Sequence, residues 1–469
     1  MRNRARCRPL AAVLCTALAA ATLGADEIDE YVAAEMRARR IPGLALAVVQ
    51  AGQIVRTGYY GQANVELEVP VSERSVFPIA SLDKELTAAG IMRLVEKGRV
   101  SLEDPVTKHL EGPWRGIRIR HLLTHTSGLP DEVAASVEGR LLTSYTTEQL
   151  LATVRNLSSV APPGERYEYS DANFFLAQLV TQRVSGEPWR PFITREVVAP
   201  AGAKGATFLD PEEVRPGRVA PYTLDDEGRL RRDPLRDVDF GPLYNDLGMT
   251  VRDFAAWLLA LDDNRVLARA SREAMWTTAS LGHGLPVAVV GQWRGYGLGF
   301  GLDEVFGHRV VTHSGYTGVA FVKLPEDSLS VVVFTNLRHS TGSDPIGLAY
   351  GIAGSYVPEV SWRHRTVVVD TNPPATALMR GEYERLLAGA PDLDRWSPPV
   401  RTAAWDAGAS LPFRARRFGK LLSFEPLARE AGGGEERLLF RARHENGRVF
   451  LRFTLAPDGR IAGLQWYHV

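Results

Sequence analysis

Ser81 and Lys84 stand three residues apart in Phe77-Pro78-Ile79-Ala80-Ser81-Leu82-Asp83-Lys84-Glu85-Leu86. Apolar residues then recur at Leu86, Ala89, Met92 and Val95, a helical spacing, so Ser81 opens a helix. Residues three apart share a helical face, which brings the Ser81 hydroxyl and the Lys84 amine within one turn of each other. A serine hydroxyl is a poor nucleophile until a neighbour removes its proton. A free lysine, with a pKa of about 10.4, keeps its own proton at neutral pH. The positive end of a helix and burial both push an ammonium towards its neutral form, whereas Asp83 pushes the other way. The pair is a nucleophile beside a candidate base; the plain alternative is an N-cap serine ahead of an apolar helix.

The elements around this pair read as a sheet assembled from distant parts of the chain. Apolar Ile28, Tyr31, Val32, Ala34 and Met36 predict an amphipathic helix that Pro42-Gly43 ends. Leu44 to Val49 and Ile54 to Tyr59 predict two strands joined by a turn at Gln50 to Gln53. Thr146 with Gln149 and Thr250 with Asp253 have capping-box spacing and start later helices. Between Tyr296 and Phe334 the pattern turns extended, with short runs at Tyr296 to Leu302, Arg309 to His313, Val319 to Leu324 and Leu329 to Phe334. Strands at both ends of the region and helices between them predict one sheet with a helical lobe beside it. After Asp370-Thr371-Asn372-Pro373-Pro374 come one helix near Ala377 to Ala388 and four extended runs with tight turns at Asn446-Gly447 and Asp458-Gly459, a small α+β domain.

The chain has 469 residues, 55 basic and 55 acidic, with 45% apolar content. That composition describes a globular protein with room for two domains, and the even charge balance gives no reason to expect nucleic acid or an anionic membrane as partner. Only six of the basic residues are lysines, which gives Lys84 more weight. Arg2, Arg4, Arg6 and Arg8, then the apolar run Leu10 to Ala21 and small residues to Ala25, read as an export signal and imply a periplasmic or secreted protein. The run is shorter than the roughly 20 residues of a spanning helix, so no membrane span is expected once the signal is removed. Cys7 and Cys15 both fall inside it, so no disulfide is expected. The expected layout is 1–25 signal, 26–365 catalytic domain, 366–376 linker and 377–469 C-terminal domain.

Ser81-Leu82-Asp83-Lys84, Tyr169-Ser170-Asp171 and His313-Ser314-Gly315 resemble, in order and wide spacing, the three motifs of the serine hydrolases that include class C β-lactamases, D-alanyl-D-alanine carboxypeptidases and related esterases. Two flanking stretches, Ser101 to Pro105 and His121 to Pro130, resemble that family as well, and the likeness covers about residues 28 to 360. The resemblance implies a β-lactamase/transpeptidase-like α+β fold, an antiparallel sheet flanked by helices. It also implies roles: Ser81 as nucleophile, Lys84 and Tyr169 as the general-base pair, and His313 lining the site opposite Ser81. The backbone amides of Ser81 and Tyr316 would form the oxyanion hole, and Asp171, Ser314 and Gly315 would contact substrate. No cofactor is implied. His121 and His125 sit at i, i+4 without the glutamate of the zinc-protease motif or a third ligand, so no metal site is expected.

Two positions depart from the family pattern. Asp171 stands where Asn is usual, and His313 where β-lactamases carry Lys. An anion has replaced an amide, and a group with a pKa of about 6.5 a fixed cation, so carboxylate-bearing substrates should fare worse, with the handicap easing towards pH 6 as His313 gains charge. The leading reading is an exported serine hydrolase of a small-molecule or peptide substrate, cleaving an ester or amide bond. The alternatives are a D-alanyl-D-alanine carboxypeptidase or β-lactamase, and a catalytically weak peptidoglycan- or peptide-binding protein on the same scaffold. The linker further predicts that a chain ending near Asp370 keeps turnover of a small ester.

Overall fold

The computed structural model describes residues 27–131, 146–210, 213–233, 247–401, 404, 418–432 and 434–468. The expected export signal and both cysteines lie outside them. A first helix, 27–39, buries Ile28, Tyr31 and Val32. The hairpin follows as strands Gly43–Gln50 and Gln53–Asn64. Ala51 and Gly52 both have positive φ (48° and 79°), the two-residue turn whose twist matches that of paired strands.

The main sheet has eight strands, and the early hairpin joins its late part. Gly43–Gln50 pairs antiparallel with Leu329–Thr335, Leu44 opposite Thr335, while Val319–Leu324, His308–Gly315 and Gly301–Val305 follow outward on that side. Successive side chains of a strand point to opposite faces. Leu44, Leu46, Val48, Val331 and Val333 therefore pack on one face with the first helix and the helix Pro345–Ala353. Ala45, Ala47, Val49, Val332 and Phe334 pack on the other with the helices Asp83–Glu96 and Val251–Asp262. Leu329–Thr335 is buried at every position, and truncating Phe334 to Ala there costs about 3–5 kcal/mol.

Asp83–Glu96 is buried nearly all round, because a helical lobe covers the side away from the sheet. Its principal partner there is the helix Asp171–Ser185, which carries Ala172, Phe174, Phe175 and Leu176 into the same core. Thr146 with Gln149 and Thr250 with Asp253 form the expected capping boxes.

The C-terminal region is a helix, Pro373–Leu387, packed through Met379, Tyr383 and Leu386 on the antiparallel meander Leu421–Gly432, Glu435–His444, Gly447–Leu455, Ile461–His468. Two details correct the expected layout. Pro373 and Pro374 form the first turn of the helix, where a missing N–H costs nothing, so the linker ends before them. The meander also does not stand apart: its last strand takes Val290–Gly291 of the preceding region as a parallel neighbour.

Candidate active site

Ser81 sits in a single 3-10 turn, Ala80–Leu82, that runs directly into the helix Asp83–Glu96. Ala80 has φ +48°, a left-handed conformation costing a non-glycine residue about 1–3 kcal/mol. Neighbours hold it there. The Ile79 N–H donates to the Leu247 carbonyl at 3.0 Å, and the Thr317 hydroxyl donates to the Pro78 carbonyl at 2.9 Å. Gly315 lies so close that a Cβ there would stand 2.7 Å from the Ile79 carbonyl oxygen. The third motif is thus pinned against the turn that presents Ser81.

Lys84 Nζ is 3.1 Å from Ser81 Oγ and 2.6 Å from Asp171 Oδ1. The helix start supplies the lysine, and the start of the facing helix Asp171–Ser185 supplies the carboxylate. Both side chains are nearly out of water, at 4% and 9% exposure, so the attraction is screened little. Burial alone pushes the Lys84 ammonium towards its neutral form, but the charges of Asp171 and Asp83 outweigh it and hold Lys84 above the usual lysine range. This corrects the expectation of a depressed lysine, and the reason is the residue that departs from the family pattern.

The Tyr169 phenol faces Ser81 and Lys84, and its ring centroid lies 5.2 Å from the Lys84 ammonium. Burial pushes the phenol up to about 12, against the opposing charge of Lys84. His125 stacks on the Tyr169 ring at 4.2 Å, and its Nδ1 accepts from the Ser170 N–H at 3.1 Å. Its backbone is left-handed at φ +53°. His125 therefore fixes two residues of the second motif. Burial and the nearby charge of Lys84 keep it neutral, well below the usual histidine range. Asp131 accepts from the Asp171 N–H at 2.8 Å, and burial together with Asp171 raises its carboxyl well above the usual carboxylate range.

His313 lies with its ring 6.3 Å from that of Tyr169, fully buried. Tyr296 OH meets His313 Nε2 at 3.0 Å, and the Trp293 ring lies over the imidazole at 4.9 Å. Burial, then the charge of Lys84, pushes its pKa down to about 3. The expectation that His313 charges near pH 6 is therefore overturned. Ser314, half-buried, donates to Gln292 Oε1 at 2.8 Å, and the Tyr316 carbonyl accepts from the His339 N–H at 2.8 Å.

The three predicted motifs thus meet around Ser81. Asp131, His125, Tyr296, Trp293 and Gln292 were not assigned to the site from sequence. Asp131 directly follows the His121 to Pro130 stretch already singled out, which was its one signal. His121 Nδ1 accepts from the Arg118 N–H at 3.2 Å, while His125 Nδ1 accepts from the Ser170 N–H. Among the described residues no group of three or more His, Cys, Asp or Glu side chains is placed to hold a metal ion.

A family model described as Beta-lactamase matches residues 28–352. Penicillin-binding protein 4* of Bacillus subtilis is 28% identical over 291 residues, a match that spans 58% of this chain and 62% of that protein, less than two thirds of its length. The octameric penicillin-binding protein homologue from Pyrococcus abyssi superposes with a TM-score of 0.62 at 23% identity, over 95% of this chain and 96% of that one. The D-amino acid amidase from Ochrobactrum anthropi SV3 superposes with a TM-score of 0.59 at 22% identity, over 73% of this chain and 99% of that one. At these identities the two superpositions establish the fold.

Proposed function

Since the chain belongs to the Beta-lactamase family, we propose that it is an exported serine hydrolase that opens an ester or amide bond through an acyl-enzyme on Ser81. The observation that carries this reading is the contact series Ser81 Oγ, Lys84 Nζ, Asp171 Oδ1, at 3.1 Å and 2.6 Å. The arginine-rich, apolar N-terminus supports export. On this reading the two domains span about 26–365 and 373–469, the second opening with the helix that Pro373 starts.

Lys84 is cationic at rest and cannot accept a proton without losing one. In this mechanism Ser81 Oγ bonds to the substrate carbonyl carbon, its proton passes to Lys84, and Lys84 passes one of its own to Asp171. Lys84 stays an ammonium, now beside a protonated Asp171, and its charge offsets the oxyanion that forms. The backbone amides of Ser81 and Tyr316 receive the oxyanion. As the carbonyl re-forms and the scissile bond breaks, the proton returns from Asp171 through Lys84 and Tyr169 to the leaving group. Water then enters in the leaving group's place and the sequence runs again, releasing the acid and restoring the Ser81 hydroxyl.

Ser314 and Gly315 line the substrate, and the site contains no net cation: Lys84 is neutralised by Asp171 and His313 is neutral. Substrates without a carboxylate beside the scissile bond suit it best, which sets a neutral ester or amide ahead of a D-alanyl-D-alanine peptide or a β-lactam. A second reading, a slow peptidoglycan- or peptide-binding protein on this scaffold, draws support from the lack of a resting base in direct contact with Ser81: Lys84 is held as an ammonium and Tyr169 at about 12.

A fluorophosphonate probe tests the nucleophile. One adduct is expected, on the peptide containing Ser81, and none in Ser81→Ala. An adduct that survives Ser81→Ala overturns the assignment. Labelling without steady turnover of any neutral ester or amide favours the binding protein.

A further inference from the structure

A buried polar network crosses the junction between the C-terminal meander and the main sheet. Arg452, 2% exposed, forms an ion pair with Asp303 of the strand Gly301–Val305 and donates to the Glu304 carbonyl at 2.7 Å. It also donates to Gln465 Oε1 at 3.2 Å. Gln465 and Tyr467, both fully buried, then reach the segment that precedes the main sheet's edge. Gln465 Nε2 donates to the Val289 carbonyl at 3.2 Å. Tyr467 OH lies 3.2 Å from the Gln292 carbonyl and 3.0 Å from Asp303 Oδ2. Between those contacts, Val290 and Gly291 pair with Leu464 and Gln465.

The far side of the same segment is the wall of the active site. Gln292 accepts from the Ser314 hydroxyl at 2.8 Å, and its amide nitrogen meets His339 Nε2 at 3.1 Å. Trp293 covers His313 at 4.9 Å. A chain of direct contacts therefore runs from the last strand of the C-terminal domain to two residues of the third motif. Removing that domain would also uncover Tyr350 and Trp362, whose rings lie 5.0 Å and 5.3 Å from that of Tyr467.

We propose that Gln465 and Tyr467 are positioning residues of the active site. Through 289–293 they hold Gln292 against Ser314 and Trp293 against His313, so that the C-terminal domain completes the site. The linker-based expectation is reversed: a chain ending near Asp370 loses the strap and with it turnover. The kinetic side of this inference rests on Ser81 as the nucleophile, while its structural side stands without it.

The test uses full-length protein with Tyr467→Phe and with Gln292→Ala, the two ends of the strap. Arg437→Ala is the control, because it removes an ion pair with Glu304 at 2.7 Å across the same interface without touching the strap. Two quantities are measured: the rate of fluorophosphonate labelling, and amide hydrogen exchange of the peptide spanning 308–316. Misplacing a reacting group by about 1 Å costs on the order of 10²-fold, so each strap variant is expected to label at least about tenfold more slowly, to lose kcat more than it raises KM, and to exchange faster in 308–316. The control stays within about twofold on every measure. If Tyr467→Phe does not fold, Gln465→Ala, which removes the bond to the Val289 carbonyl, decides by the same criteria. Labelling and exchange both unchanged in a folded strap variant overturn the proposal. Exchange altered in a protein that the probe never labels upholds the strap and removes the nucleophile assignment instead.

Discussion

Replacing Asp171 by Asn separates two ways in which Lys84 could serve. The carboxylate stands 2.6 Å from the ammonium with both groups nearly out of water. At an effective dielectric of about 20 the attraction is on the order of 6 kcal/mol. At about 1.36 kcal/mol per pKa unit, that is a factor of roughly 10⁴ in the hold of Lys84 on its proton. The carboxylate raises the lysine, and burial lowers it, so in Asp171→Asn Lys84 titrates at a lower pH than in the wild type. On the proposed mechanism the ion pair is the reactive form in the wild type, and kcat/KM for a neutral p-nitrophenyl ester is expected to be level from about pH 6.5 to 9. The variant has lost the final proton acceptor and must use neutral Lys84 instead. Its kcat/KM is expected to fall by roughly 10² at pH 7 and to climb about tenfold per pH unit until Lys84 has lost its proton. Release of p-nitrophenolate, corrected for its own ionisation, follows both profiles. Parallel profiles for the two proteins would refute the reasoning, since the pair would then not lie on the proton path.

Lys84→Ala and Tyr169→Phe are each expected to lower kcat/KM by roughly 10² or more; because they share one proton path, the double variant should lose far less than the product, and multiplicative losses would separate their roles. With His313 pushed down to about 3, the ratio of kcat/KM for a neutral ester over its carboxylate-bearing analogue should hold constant from about pH 5.5 to 8; a ratio that shrinks tenfold towards pH 6 would mean the imidazole charges after all. Glu85 is fully buried with Trp257 Nε1 at 3.3 Å from one oxygen, and burial raises its pKa well above the carboxylate range. Its folded form keeps a proton that the unfolded chain gives up, so the stability it contributes is present below the unfolded pKa and lost as pH rises. Glu85→Gln is therefore expected to be more stable relative to wild type at pH 8 than at pH 5 in urea unfolding, and an equal difference at the two pH values would refute the shift.

The contacts that were legible in the sequence are those with a local period or a short motif. Helical spacing placed Lys84 beside Ser81, and the extended runs either side of the helical region anticipated the pairing of Gly43–Gln50 with Leu329–Thr335. The second layer was not legible, because its partners are tens to hundreds of residues apart and their types are ordinary. Trp293 reads as a core aromatic until its ring is found over His313, and Gln465 as a polar strand residue until it reaches Val289. The protonation states failed for a related reason. A sequence shows that Lys84 is buried at a helix start, but the sign of its shift depends on which charge lies within a few ångströms, and Asp171 comes from a separate helix.

The two departures from the family pattern, read separately, each looked like a defect. In the structure they are one balance of charge. A dry site holds a lone ion only at a cost of several kcal/mol. With Asn in the second motif and Lys in the third, a site of this kind carries two cations, and the carboxylate of a substrate offsets one of them. Here Asp171 neutralises Lys84 within the protein, and the neutral His313 adds nothing. The site therefore reaches neutrality before substrate arrives, and a carboxylate brought into it would find no counter-charge. Restoring either family residue alone leaves one cation unmatched, so Asp171→Asn and His313→Lys should each improve the standing of carboxylate-bearing esters relative to neutral ones. The shift in that ratio, measured for each variant against wild type at pH 7, distinguishes this balance from a merely weakened β-lactamase site, in which only His313→Lys would move it.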